Sequence, residues 1–266
     1  MHNLLRAYRG LFRANVAIAF TYRAQAVIWM LSFVFPLVML AVWLAVVDQA
    51  GPVGGYNRGD FISYYLVGAV LYRFVLMGLT YHWDHEIRTG ELSVRLLKPL
   101  DPFHYYLSEQ LGWKVLDLLI LVPLALVAAL LIPGVHYALS PARLLAFVFS
   151  VVLGMTINVC ISSAFGMIAF WTTQSRNLFE LWSGIGQFLS GFIAPLPLFP
   201  LFMQRVAAVL PFRNSVGLPV DILMGRVGWA ATGQGLLVGA LWALGACMIY
   251  RVLWRLGLRR YEAVGA

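Results

Sequence analysis

Long stretches of this chain are almost free of charge, and the polar residues between them fall into short clusters. The apolar stretches are Ala24–Val47, Phe61–Trp83 (interrupted by Arg73), Leu118–Ala142, Leu144–Ser175, Leu181–Gln204 and Val227–Tyr250. Each holds the ~20 mostly apolar residues with which a helix crosses a hydrocarbon layer about 30 Å thick. Lipid offers no partner to backbone N–H and C=O groups, so a span must be a helix or a strand of a closed barrel. Barrel strands alternate polar and apolar side chains, and runs such as LLILVPLALVAALLI (Leu118–Ile132) do not. The pattern therefore predicts an all-α integral membrane protein with six transmembrane helices.

Composition agrees: 61% of residues are hydrophobic and 11% charged, against roughly 25% charged in an ordinary soluble domain. Lys and Arg gather on the side that faces the cytoplasm. With both termini inside, that side collects Arg6, Arg9, Arg13, Arg23, Arg88, Arg95, Lys98, Lys114, Arg176, Arg251, Arg255, Arg259 and Arg260, and the outer side only Arg58, Arg143, Arg205, Arg213 and Arg226. The net charge of +8 is largely this topological bias, so nucleic acid is not an expected partner. Cys160 and Cys247 both fall in apolar stretches and read as small buried hydrophobes.

Residues 1–23 form a first unit, ahead of a permease-like region over 24–266. At 100° per residue, Arg6, Arg9 and Arg13 share one arc, and Leu4, Leu5, Tyr8, Leu11, Phe12, Val16 and Ala19 fill the opposite side. Such a helix lies among lipid headgroups with its arginines as anchors, or else packs on other parts of the protein. No small-residue cleavage site ends its apolar run, as a secretory signal would require.

Several positions inside the spans stand out. In the fifth, Gly186, Ser190 and Ala194 recur every four residues beside Ser183, Gln187 and Gly191; in the sixth, Gly235 and Gly239 form GxxxG. Small residues at this spacing let helices approach closely, within one chain or between subunits. Tyr65, Gly68 and Tyr72 make a face that suits a packed interface or a cavity wall. Arg73 is the one full charge deep in a span, placed either to snorkel or to face a substrate. Between the last two spans, 197–226, apolar pieces too short to cross are broken by Pro200, Pro211 and Pro219, which predicts a short re-entrant helix pair on the outer face.

Chemistry is sparse. No GxxxxGK[ST], HExxH or GxSxG occurs, so the chain has no motif for nucleotide, zinc-protease or serine-hydrolase chemistry. His82 and His85 lie one turn apart but no third metal ligand is fixed by sequence. We expect no catalytic site, metal or cofactor in the chain itself.

The exception to the greasy pattern is Glu86–Phe103, EIRTGELSVRLLKPLDPF, within a cytoplasmic segment 84–103. Gly90 breaks the helix that leaves the membrane, and Lys98–Pro99 stops the next, because the residue before proline disfavours helical backbone. Between them, Leu92, Leu96 and Leu97 give a short helix one greasy side, flanked by Arg95 and Lys98, of the kind a soluble partner grips in a groove.

The pattern of Glu86, Gly90, Leu92, Leu96, Leu97 and Pro99 resembles the segment after the second span of type 2 ABC exporter permeases. The likeness extends to the N-terminal helix, the six spans, the outer FP…LPF…P run and the GLRRYEAVGA tail, and is greatest for the ABC-2 family transporter proteins of this length. It implies a bacterial inner- or plasma-membrane half-transporter that pairs with a second permease, a copy or a paralogue, and with separate ATPase subunits that bind the ATP and Mg. It implies that Glu86, Gly90, Glu91, Leu92, Arg95, Leu96, Leu97, Lys98 and Pro99 dock on the ATPase as a coupling helix. It implies too that the first, second and fifth spans form the dimer seam and the path of a hydrophobic or amphipathic, drug-like or lipid-like compound, with Tyr65, Gly68, Tyr72, Arg73, Ser183, Gln187 and Ser190 as its candidate residues. The family's commoner Gly-Thr-Leu reads Gly90–Glu91–Leu92 here. An autonomous carrier or channel would instead show inverted repeats or midplane charges, and a non-transporting scaffold or immunity protein would move no labelled substrate.

Overall fold

The computed structural model describes residues 2–22 and 34–261, with side chains from Tyr8 onward. Its helices are α1 (His2–Thr21), α2 (Val34–Ala50), α3 (Arg58–Val75), α4 (Leu79–Thr89), α5 (Leu92–Leu96), α6 (Pro102–Leu131), α7 (Pro141–Met167), α8 (Ser175–Leu189), α9 (Leu201–Val209), α10 (Gly217–Leu223) and α11 (Trp229–Arg260). No strand occurs among the described residues. The side chains of Leu4, Leu5 and Arg6, and the first part of the expected first span, lie outside what is described.

Local sequence sets the helix starts. Asn57 and Asp60 form a reciprocal capping box at α3, Asp60 N donating to Asn57 Oδ1 (3.0 Å) and Asn57 N to Asp60 Oδ2 (2.8 Å). Asp101 and Ser140 cap α6 and α7, each followed by a proline in the first turn, where its missing N–H removes no helical bond. These caps satisfy donors that a helix end otherwise leaves open.

Four segments are long and apolar enough to cross a membrane: Arg58–Thr89, Pro102–Leu131, Pro141–Phe170 and Trp229–Arg260. The apolar helix Val34–Ala50 is shorter. The expected fifth span, 181–204, is not one continuous helix. After Leu189 the chain bends at Gly191 (φ 88°) and runs through a 3-10 turn, Leu196–Leu198, into α9. Pro195, Pro197 and Pro200 have no N–H to continue a helix. The carbonyls released there are met from within: Tyr64 donates to Gly191 O (2.7 Å), Tyr65 to Ile193 O (2.5 Å) and Gly217 N to Ser190 O (2.8 Å).

One end of the bundle carries α4–α5, where Trp83 is fully buried and packs on Tyr106 of α6 and Trp254 of α11 with ring centroids 4.6 and 5.1 Å away. Here α1 lies along the first half of α6: Tyr8, Leu11, Phe12, Asn15, Val16 and Ala19 turn inward, Arg9 and Arg13 outward, and Asn15 donates to Ser108 (3.0 Å). Its apolar side is thus spent largely on the protein. The opposite end holds the 197–226 segment, whose α10 is buried throughout. Arg226 there pairs with Asp60 (2.8 Å) and lies over the Tyr56 ring at 3.6 Å.

The glycine motifs serve these internal approaches. A Cβ on Gly235 would stand 2.8 Å from Leu218, and one on Gly239 2.2 Å from the Asn214 amide. The GxxxG of α11 is therefore filled by α10 and the turn before it, and Gly186 likewise faces Phe212. A Cβ at Gly245 would meet nothing within 4 Å. We expect Gly239→Ala to destabilise the protein by about 1–3 kcal/mol through overpacking. Gly245→Ala should stabilise it by roughly 0.5–1 kcal/mol, as Ala does for Gly in a helix interior. Thermal unfolding in one detergent compares the two.

Candidate functional site

The segment after α4 is clamped from behind. Gly90 takes the left-handed conformation that ends the helix (φ 82°), which a Cβ would strain. Leu92 is then fully buried, and the Arg95 guanidinium closes on the Glu86 carboxylate (2.7–3.0 Å). Tyr106 donates to the same carboxylate, and Arg95's own hydrogen bond to Glu86 raises its pKa above the ordinary value. Ser93 N donates to the Tyr261 hydroxyl (3.2 Å), which ties the segment to the end of α11.

The expected docking residues therefore divide. Glu86, Gly90, Leu92 and Arg95 build the segment, Glu86 and Leu92 buried and Gly90 and Arg95 half-buried. Glu91, Leu96, Leu97, Lys98 and Pro99 are exposed, Leu97 at 87%. Val94, 61% exposed, belongs with them; the leucine pattern hid it, because a helix of five residues has no settled face to read from sequence.

α4 is tied to every neighbour. Thr80 exchanges hydrogen bonds with Ser162 of α7 (2.7–3.0 Å). Trp83 lies against Gly166, where a Cβ would come within 2.5 Å of it. Asp84, 1% exposed, accepts from Ser175 at the start of α8 and pairs with Arg176 (2.6 Å). Movement of α4–α5 thus bears directly on α8.

The helix pair α3–α4 breaks at Leu76–Gly78, and a cavity of about 660 Å³ opens beside the break, walled also by α6, α7 and α8. Five of the seven candidate path residues meet in its lining: Tyr72, Arg73, Ser183, Gln187 and Ser190. Tyr65 and Gly68 do not. Tyr65 is 3% exposed and spent on Ile193 O, and Gly68 packs on Val216, so both belong to the core.

Charge in the cavity comes mainly from α6, whose polar stripe Glu109, Gln110, Trp113, Lys114 and Asp117 faces it. The i, i+4, i+8 spacing of Glu109, Trp113 and Asp117 in an otherwise apolar helix was the available signal. Arg73 Nε sits 3.2 Å from Asp117, and Lys114 Nζ lies 3.8 Å from the same carboxylate. Lys114 also donates to the carbonyls of Arg73 and Leu76, the latter at 2.9 Å, and so caps the end of α3. Arg73 is thus both anchored and at a cavity wall. His82 lies 4.0 Å from Glu109 and His85 3.9 Å from Glu91, so the two histidines face different carboxylates, and no cluster of metal-binding side chains occurs among the described residues.

An all-α bundle with apolar helices long enough to cross a membrane agrees with one comparison. The family model described as ABC-2 family transporter protein matches residues 29–265. The chain belongs to this family. No curated protein matches it. As an ABC-2 permease it is a multi-pass membrane protein, and permeases of this family normally pair with an ATPase subunit.

In this ABC-2 permease the Glu86–Arg95 pair sets the shape of the turn rather than its outer surface. Glu86→Ala leaves the guanidinium without its carboxylate and should lower stability by roughly 2–3 kcal/mol. Hydrogen exchange across residues 90–98 should speed up with it. Leu97→Ala, on an exposed tip, should change stability by no more than about 0.5 kcal/mol.

Proposed function

We propose that this ABC-2 permease is the transmembrane half of an ATP-driven exporter that moves a hydrophobic or amphipathic compound out of a bacterial cell. A separate ATPase docks on α5 from the cytoplasm, where both termini also lie, and a second permease, a copy or a paralogue, completes the complex. The six-span topology, with the 197–226 segment re-entrant from the outer face and Arg9 and Arg13 of α1 at the headgroups, belongs to this reading. ATP and Mg are held by the ATPase, and the chain itself carries no catalytic group.

One observation carries the proposal. An apolar tip, Val94, Leu96 and Leu97, projects from a turn braced by Glu86, Arg95 and Tyr106. Soluble surfaces carry scattered apolar residues, but a clamp of buried charge behind them is a means of transmitting force. Through Asp84 the same element reaches Ser175 and Arg176 of α8, and α8 supplies Ser183, Gln187 and Ser190 to the cavity wall. Closure of the ATPase dimer would favour one packing of α4 against α8 over the other. ATP can drive that shift only through contacts that differ between the two states, and α5 is where they would differ.

Purification of the tagged chain from its native host in mild detergent, with mass spectrometry of what travels with it, tests the reading. We expect a stoichiometric P-loop ATPase, and we expect Leu97→Asp or Val94→Asp to lose it while the permease elutes unchanged. A stable assembly without an ATPase, even after crosslinking, would overturn the exporter. Capture undiminished in both variants would overturn the docking site.

A further inference from the structure

We infer that the arginine row at the end of α11, Arg251, Arg255 and Arg259, is a binding site for an anionic phospholipid. Its phosphate is held between Arg251 and Arg255, and an acyl chain lies along Leu244 and Met248. The inference needs only a chain that spans a membrane, so it stands apart from the exporter reading.

The two faces of α11 differ along its whole length. Gly239, Ala243, Ala246, Tyr250, Trp254 and Gly257 are buried and turn toward the bundle. Leu237, Leu241, Leu244 and Met248, 61–65% exposed, lie on the opposite side, where a spanning helix meets lipid. Arg251, Arg255 and Arg259, all exposed, continue that line: at 3.6 residues per turn, leucines, methionine and arginines share an arc of about 100°. Arg260 falls roughly 130° from the middle of the arc. Leu237 to Met248 rises about 16 Å, close to half of a hydrocarbon layer about 30 Å thick. Arg251 and Arg255 follow about 5 and 11 Å further on. Helical side chains lean toward the N-terminus, here back toward the hydrocarbon edge, so both guanidiniums reach the headgroup layer, roughly 5–8 Å deep on each side.

Charge selects the ligand. Arg251 lies 3.8 Å from Asp101, with both side chains partly exposed. Arg255, Arg259 and Arg260 have no acidic partner among the described residues. Beyond Tyr261 the sequence adds one acidic side chain, Glu262, so the row keeps positive charge even with Glu262 folded back on it. The carbonyl end of a helix favours cations only within its last turn, which accounts for Arg259 and Arg260 but not for Arg251 and Arg255. The general excess of basic residues on one side of a membrane does not account for their alignment below the lipid-facing stripe. Basic clusters directly outside a spanning helix attract anionic lipid, and a guanidinium matches the geometry of a phosphate. Val252, between Arg251 and Arg255, is still 53% exposed, a surface that an acyl chain covers. A soluble acidic partner would have to enter the headgroup layer to reach it.

Photolabelling of the full chain in phosphatidylcholine nanodiscs tests the inference. A trace of one probe lipid is added, phosphatidylglycerol or phosphatidylcholine, each with the same diazirine-bearing acyl chain. Label is read by peptide mass spectrometry at 241–252 and, as a reference, at 124–131 of α6, an apolar stretch without a charged residue. Relative to the reference, the phosphatidylglycerol probe should label 241–252 at least about fivefold more than the phosphatidylcholine probe, the scale of one arginine near an anionic surface. Arg255→Gln should lower that ratio about fivefold. Arg260→Gln, the same loss of charge off the row, should leave it within about twofold. Arg259→Gln takes the place of Arg255→Gln should that variant fail to fold. Equal labelling by the two probes overturns the inference. So does an equal loss in Arg255→Gln and Arg260→Gln, which would mean diffuse surface charge only. Displacement of the label by inorganic phosphate would assign the row to a free anion, and absence of label at 241–252 would mean that another protein chain covers it; either result overturns the lipid site.

Discussion

A backbone group inside a membrane must find its partner within the protein, and that constraint shapes two departures from regular helix among the described residues. At Leu76–Gly78 the carbonyls of Arg73 and Leu76 are taken by Lys114. At 190–193, after α8, they are taken by Gly217 N and by the hydroxyls of Tyr64 and Tyr65. Each rescue comes from another helix, so each break is also a tether. Without Lys114 the end of α3 would face apolar surroundings with open carbonyls, and each buried polar group so stranded costs on the order of 1–3 kcal/mol. The irregular backbone is thus as firmly held as the helices, and the cavity beside it has defined walls.

The same logic explains why α4 is polar on so many sides. A helix of eleven residues has too little apolar surface to be positioned by packing alone. It is held by Thr80–Ser162, by Trp83 in the notch of Gly166, by Asp84 with Ser175 and Arg176, and by Glu86 with Tyr106 and Arg95. These bonds are directional, unlike hydrophobic contact. A displacement of α4 cannot be absorbed by slippage and must be passed on to α5, α6, α7 and α8 or break a bond between buried charges.

Much of this was legible in the sequence, and the limits have physical causes. Long apolar runs identified α3–α4, α6, α7 and α11, because length and hydropathy are local properties. The expected fifth span failed as a continuous helix because Tyr64 and Tyr65, some 127 residues away, make a broken backbone tolerable there, and nothing local announces such partners. Of the cavity's lining, Tyr72, Ser183, Gln187 and Ser190 stood out in sequence by residue type at helical spacing, and Arg73 as a lone charge in a span. Tyr65 and Gly68 share a face with Tyr72 but pack in the core, since seven residues of helix separate Tyr65 from Tyr72 by about 10 Å along the axis and bring it to different neighbours. In the segment after α4 the sequence showed the residue types but not their directions: Glu86, Leu92 and Arg95 are the most chemically distinctive members of the motif, and it is the frame that they build.

The position of the charged group at the α3–α4 break bears on how such a protein can switch. Lys114 holds the last carbonyls of α3, and Asp117, one turn further along α6, holds Arg73 and Lys114 together. A small rotation of α3 against α6 would draw both carbonyls from the ammonium and strain the ion pairs. Arrangements that part the ammonium from these carbonyls are therefore poor in energy. Packed cores respond to force by moving between discrete arrangements rather than by bending. The break beside the cavity is thus held in a well-defined arrangement by Lys114 and Asp117, because a buried charge is costly to leave with half-made bonds.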